Sequence, residues 1–186
     1  KDTASLRSIR SRPRFYQLPP HTHPPANPTT PPFNRRYASY VGAEAANLVF
    51  VENASGGCNS FIRSVAAQLP PAPKILLLSC AYGMVKNILY MLEDEVGAEL
   101  VEVEVSAVLH SPELFLATVE EAILANGGAA TFSLAVISHI ASIPGVILPV
   151  EDFIELLPGV PVMVDGAHAP GTVPLELEAL RHHHRA

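Results

Sequence analysis

Two short segments hold residues whose types and spacing suit ligand chemistry. In the first, the apolar run Leu48-Val49-Phe50-Val51 leads through Glu52 into Asn53-Ala54-Ser55-Gly56-Gly57 and then a helical pattern. Exposed N–H groups at that helix start, with the Ser55 hydroxyl, would make a seat for a phosphate. The same residues also read as an ordinary N-cap serine with glycines for a turn. The segment has neither the lysine of a P-loop nor the spacing of a dinucleotide fingerprint, which argues against nucleotide binding. In the second segment, the apolar Val162-Met163-Val164 ends in Asp165 and is followed by Gly166-Ala167-His168. A carboxylate at a sheet edge is costly unless a cation or a polar site receives it. Asp165 could hold a protonated ring nitrogen, with His168 close enough to reach the same ligand. It could instead cap its loop, or pair with His168 on a metal.

Positioning such groups takes a sheet. "NLVFV", "KILLLS", "ELVEVEV", "FSLAVISH" and "VPVMVDG" read as strands. Between them, "GGCNSFIRSVAAQL" has Phe61, Ile62, Val65 and Leu69 at helical spacing, and Pro70, Pro71 and Pro73 end it. "GMVKNILYMLEDEV" predicts a second helix. "SPELFLATVEEAILANGG" predicts a third, with Ser111 as N-cap and Pro112 at its first position. "FNRRYASYVGAE" predicts a helix ending near Gly42, and "VEDFIEL" a short one before the last strand. Apolar strands alternating with helices imply a three-layer α/β/α fold around a mostly parallel sheet. Ligands in such folds sit beyond the carboxyl ends of the strands, where both segments fall.

Composition narrows the function classes. The 186 residues carry a net charge of −6, with a pI near 5.7, which argues against nucleic acid as partner. Hydrophobic content is 48% and mean hydropathy +0.25, but no apolar run is long enough to cross a membrane. Even the uncharged stretch from Ala122 to Val150 is interrupted by polar residues and proline. Cys58 and Cys80 form no CxxC pair and read as buried thiols. Three adjacent histidines, His182 to His184, rarely converge on one ion, and no metal site is assigned to them. Residues 1–32 differ from the rest: Arg7, Arg10, Arg12 and Arg14 precede the proline-rich "LPPHTHPPANPTTPP", which predicts an extended, disordered arm. The lack of a secretory leader favours the cytoplasm. The Arg/Ser-rich start also resembles a mitochondrial or plastid transit peptide.

Four blocks, "NLVFVENASGGCNSFIRSV", "ILLLSCAYGMVKNILYML", "LAVISHIASIPGVILPVEDF" and "VMVDGAHAPGTVPLELEAL", resemble in order and spacing the class V aminotransferase-like enzymes of fold type I, which use pyridoxal 5′-phosphate (PLP). They are most similar to the branch of isopenicillin-N-epimerase-like and L-cysteine-desulfhydrase-like proteins. The resemblance runs from about Arg35 to Leu180 and implies that residues 33–186 form part of the large PLP-binding domain. It implies that Ala54 and Ser55 take the cofactor phosphate, that Tyr82 stacks on the pyridine ring, and that Ser142 lies near the phenolic oxygen. It also implies that Asp165 pairs with the pyridine nitrogen and that His168 bonds the phenolic oxygen. His139 reads as structural. An amino-acid substrate, cysteine among the candidates, and a homodimer of the complete protein are further implications.

The sequence departs from the family pattern in two places. Ser55-Gly56 stands where a Thr-Thr or Thr-Ala pair is common. The Schiff-base lysine is expected about one strand and a turn after "VDGAHA", but this sequence ends at "EALRHHHRA", and Lys1, Lys74 and Lys86 match no such position. The reading is therefore of a truncated PLP enzyme, a C–S lyase or epimerase-like protein. The alternative is a catalytically inactive remnant that acts as a binding or dimerisation partner.

Overall fold

The structure, a computed structural model, describes residues 32–183, with side chains over 33–180. The predicted arm lies outside the described residues except for Pro32, which opens the first helix. The three terminal histidines likewise fall outside the described side chains.

Four parallel strands form the sheet: β1 (Lys74–Leu78), β2 (Glu99–Val103), β3 (Leu134–Ser138) and β6 (Val162–Asp165), in the order β2-β1-β3-β6. Helices cover both faces. The alternation of side chains along each strand separates two cores. Leu76, Leu78, Ala135 and Ile137 bury against α4 (Pro112–Ala125) and α5 (Val150–Glu155), with Phe115 and Phe153 fully enclosed. Ile75, Leu77, Leu134, Val136 and Met163 point the other way, against α2 (Ala54–Ala66) and α3 (Gly83–Val96). Each such aliphatic or aromatic side chain contributes about 1.5–3 kcal/mol through burial, so the strands are held from both sides.

Local signals account for the helix ends. Ser111 accepts the Leu114 N–H at 3.4 Å, and Pro112 stands where a missing N–H costs nothing. Gly97 closes α3 in the left-handed region at φ +70°, which only glycine adopts freely. After α1 (Pro32–Tyr40), Gly42 sits at φ +63°, where a Cβ would collide with the Glu176 backbone. This close approach lets the chain before α6 (Leu177–His183) bond back, through Leu177 N–H to the Val41 carbonyl and Glu178 N–H to that of Gly42.

Three expectations need correction. "NLVFV" is not a strand: a single 3-10 turn (Ala45–Asn47) precedes an extended segment that pairs with no strand among the described residues. Val49 and Val51 are exposed, and Phe50 packs on Phe33 and Tyr37 of α1, at 5.0 and 5.6 Å between ring centroids. Short apolar runs satisfy a strand pattern, but aromatic packing off the sheet satisfies this one. On α2, Ile62 is buried while Phe61 is exposed, so the core-facing stripe is narrower than its spacing implied. "SHIASIPGVI" also contains an unforeseen hairpin, in which β4 (Ile140–Ser142) pairs antiparallel with β5 (Gly145–Ile147).

Candidate functional site

The site is assembled at the carboxyl ends of β1, β3 and β6. α2 starts at Ala54 because Asn53, in extended conformation, caps it: its Oδ1 accepts the Gly56 N–H at 2.8 Å and its carbonyl the Gly57 N–H at 3.1 Å. Helix geometry leaves the N–H groups of Ala54 and Ser55 with no intrahelical acceptor, and the aligned peptides make that end electropositive. β1 runs into a turn closed by the Ala81 N–H on the Leu78 carbonyl at 2.9 Å. That turn delivers Tyr82, 51% exposed, at the N-cap of α3. At the end of β6, Asp165 Oδ1 accepts the Ala167 N–H at 3.1 Å and its carbonyl accepts the His139 N–H at 2.9 Å. The first bond fixes the carboxylate over its own loop, so the loop-cap reading of Asp165 holds alongside any ligand role.

These segments converge. A single cavity of about 300 Å³ is lined by Ala54, Ser55, Tyr82, Ser142, Asp165 and His168, all six residues singled out from the sequence. Asn53, Cys58, Met84, Ser138, Ile140 and Ala167 complete its wall. Sites for small ligands begin at about this size. Ser142 arrives on the unforeseen hairpin, which explains how a residue four positions past the end of β3 returns to the strand ends. His139 does not line the cavity; it lines two others, one with Glu151 and Asp152 and one with Tyr37 and Val164. Burial holds its imidazole below the usual range, against the pull of Glu151, in keeping with a structural role.

Cys58 belongs to the cavity wall as well as to the core. Burial first, and then the Asp165 carboxylate, push its thiol up to about 11. It is therefore a neutral thiol beside the Asp165 side chain. Both cysteines are free. Among the described residues no group of three or more His, Cys, Asp or Glu is placed to hold a metal ion.

The two described lysines lie elsewhere. Lys74 opens β1 at the amino edge of the sheet, pairing with Glu99 at 3.0 Å. Lys86, on α3, bonds Glu102 on the edge strand β2, and Tyr90 joins the same carboxylate at 2.7 Å. Burial pushes the Glu102 carboxyl up, but the bonds from Lys86 and Tyr90 outweigh it and hold it low. Neither lysine lines the cavity.

The family model for aminotransferase class-V matches residues 34–182, most of the chain and every element of the site. The chain belongs to the class-V aminotransferase family. It is 32% identical over 112 residues to the L-cysteine desulfhydrase of Arabidopsis thaliana, covering 57% of this chain and 24% of that protein. It is 32% identical over 148 residues to the isopenicillin N epimerase of Amycolatopsis lactamdurans, covering 78% and 36%. A variant of the cystine C–S lyase C-DES, with glycine covalently linked to its PLP cofactor, shares the fold at a TM-score of 0.66 and 21% identity, over 79% of this chain and 38% of that one. The chain thus spans about one quarter to one third of the length of the curated relatives it matches. The expected three-layer α/β fold with a parallel sheet stands, as a part of the fold-type I architecture.

No helix of the described residues is long and apolar enough to cross a membrane.

Proposed function

We propose that the cavity seats pyridoxal 5′-phosphate, and that this segment is the cofactor-holding part of the large domain of an enzyme acting on an amino acid. One observation carries the reading. A helix start with two uncommitted N–H groups, an exposed aromatic ring and a carboxylate at a strand end line the same cavity. An anionic phosphate, a flat ring and a protonated ring nitrogen ask for those three groups.

The residues divide the work. Ala54 and Ser55 N–H groups, with the Ser55 hydroxyl, bind the phosphate, helped by the dipole of α2. Tyr82 covers one face of the ring and excludes water from it. Asp165, held by Ala167 N–H, keeps the ring nitrogen protonated by opposite charge at close range. His168 and Ser142 bond the phenolic oxygen and set the tilt of the ring. When bound, the cofactor supplies an electron sink for charge left on a substrate carbon. The names of the relatives support an amino-acid substrate and, among reactions, C–S bond cleavage of cysteine ahead of epimerisation. In the complete protein a second copy would cover exposed apolar groups such as Val49, Val51 and Ile143.

A second reading, binding without turnover, is favoured for these residues taken alone, because both described lysines are engaged in ion pairs away from the cavity. The base and cofactor anchor of the complete enzyme would then lie beyond the described residues.

Fluorescence titration with pyridoxamine 5′-phosphate tests the seat, since that ligand has no aldehyde and reports non-covalent binding alone. Saturable binding is expected, competed by inorganic phosphate, and weakened about tenfold to a hundredfold by Asp165→Ala, the range for a hydrogen bond to a charged group. Absence of binding by the unaltered chain, or equal affinity in Asp165→Ala and Ser55→Ala, would overturn the assignment.

A further inference from the structure

Ser138 ends β3 and is the buried polar residue of the described core, 7% exposed. Among the described residues its hydroxyl has no hydrogen-bond partner, yet it lines the cavity that holds Asp165. The strand register places Ser138 directly beside Asp165, about 4.8 Å away across a pair of neighbouring strands. Both continue the alternation that turns Leu134, Val136 and Met163 toward α2 and α3, so both side chains lean to the same face. No enclosed side-chain oxygen or nitrogen among the described residues lacks a partner, so this hydroxyl opens onto the cavity and is not sealed in the core. One placed at the floor of a cavity, next to a carboxylate, has a use once that cavity fills.

We infer that Ser138 is a positioning residue for Asp165, donating its hydroxyl hydrogen to Asp165 Oδ2 when a protonated ring nitrogen occupies the cavity. This rests on the cofactor reading above. Ala167 N–H already fixes Oδ1 at 3.1 Å, so a bond at Oδ2 fixes the plane of the carboxylate. The nitrogen edge of a pyridinium offers one N–H and no acceptor, which leaves Asp165 as the acceptor for this hydroxyl. Cys58, on the same wall, does not compete for that role, because a neutral thiol is a weak donor. A change between staggered rotamers and rotation about the Cβ–O bond re-aim the hydroxyl without moving the backbone.

The test compares two ligands on the full 186-residue chain: pyridoxamine 5′-phosphate, and its carbocyclic analogue with CH in place of the ring nitrogen. Ser138→Ala is expected to weaken the pyridine ligand about fivefold to tenfold and to leave the carbocycle unchanged. Ser138→Thr, which keeps the hydroxyl, should restore the preference. Asp165→Asn should abolish it. Equal losses for both ligands in Ser138→Ala would make the residue merely structural, and no loss for either would remove it from the site; each overturns the inference. If Asp165→Asn reduces the preference while Ser138→Ala does not, the inference alone fails and the cofactor reading survives. If the unaltered chain binds neither ligand, both fail together.

Discussion

The same strands meet two different fates on the two faces of the sheet. Toward α4 and α5, Leu76, Leu78, Ala135 and Ile137 continue through Leu148, Phe153 and Leu157 into a wholly apolar cluster. Toward α2 and α3 the alternation starts as well, with Ile75, Leu77, Leu134 and Val136, but at the carboxyl ends it changes to Ser138 and Asp165, which face Cys58 of α2 across the cavity wall. At the outer edge of that second face, on β2 and just past its end, polar side chains satisfy one another: Glu102 takes Lys86 and Tyr90, and Glu104 takes Ser79 and Ser106. At the ends of β3 and β6 they turn into the cavity instead. One further step of the alternation, two residues along the strand, is the difference between core and site.

That contrast predicts unequal costs. Phe153→Ala, on the closed face, should destabilise the chain by about 3–5 kcal/mol, the usual cost of emptying a buried aromatic site. Ser138→Ala, on the open face, should change stability by less than about 1 kcal/mol. Chemical denaturation of the two variants checks this, and a larger loss in Ser138→Ala would mean that the cavity floor is core after all.

Thiol chemistry sharpens the comparison at the point where core and cavity meet. With its thiol raised to about 11, Cys58 should react with iodoacetamide at pH 8 about a hundredfold more slowly than a free cysteine. The rate should rise in Asp165→Asn, which removes the second cause of the shift. Mass spectrometry of the modified peptide reads both rates, and a Cys58 as fast as free cysteine would place it outside the wall.

The smallest effect belongs to the self-satisfied edge. Bonds from Ser106, and then from Ser79, lower the Glu104 carboxyl to about 2 from 4.5. A carboxyl depressed by folding stabilises above its unfolded value and loses that contribution as pH falls toward its folded one. The stability gap between the unaltered chain and Glu104→Gln should therefore narrow between pH 4.5 and 2. Because Glu104 is fully exposed, the change should be slight. Denaturation midpoints across that range measure it, and a gap that widens on acidification would contradict the bonding pattern.

Much of this arrangement could be read before the fold was seen. Ser111-Pro112 located the start of α4, and an acid after three apolar residues marked Asp165 as the end of a strand. Residues whose environment depends on distant partners stayed hidden. "LVFV" reads as a strand because its pattern cannot reveal that Phe33 and Tyr37 would take Phe50 away from any sheet. Ser142 was singled out by resemblance, while the hairpin that carries it, with only three residues in each strand, was read as a loop. Ser138 was not singled out from the sequence. Only the register with Asp165 shows what it faces.

A crystal structure of the chain with pyridoxamine 5′-phosphate tests the central claim most directly. The phosphate should sit on the N–H groups of Ala54 and Ser55, with the ring nitrogen within hydrogen-bonding distance of Asp165 and Tyr82 against a ring face. A ligand bound outside this cavity, or turned so that its nitrogen faces away from Asp165, would contradict the account.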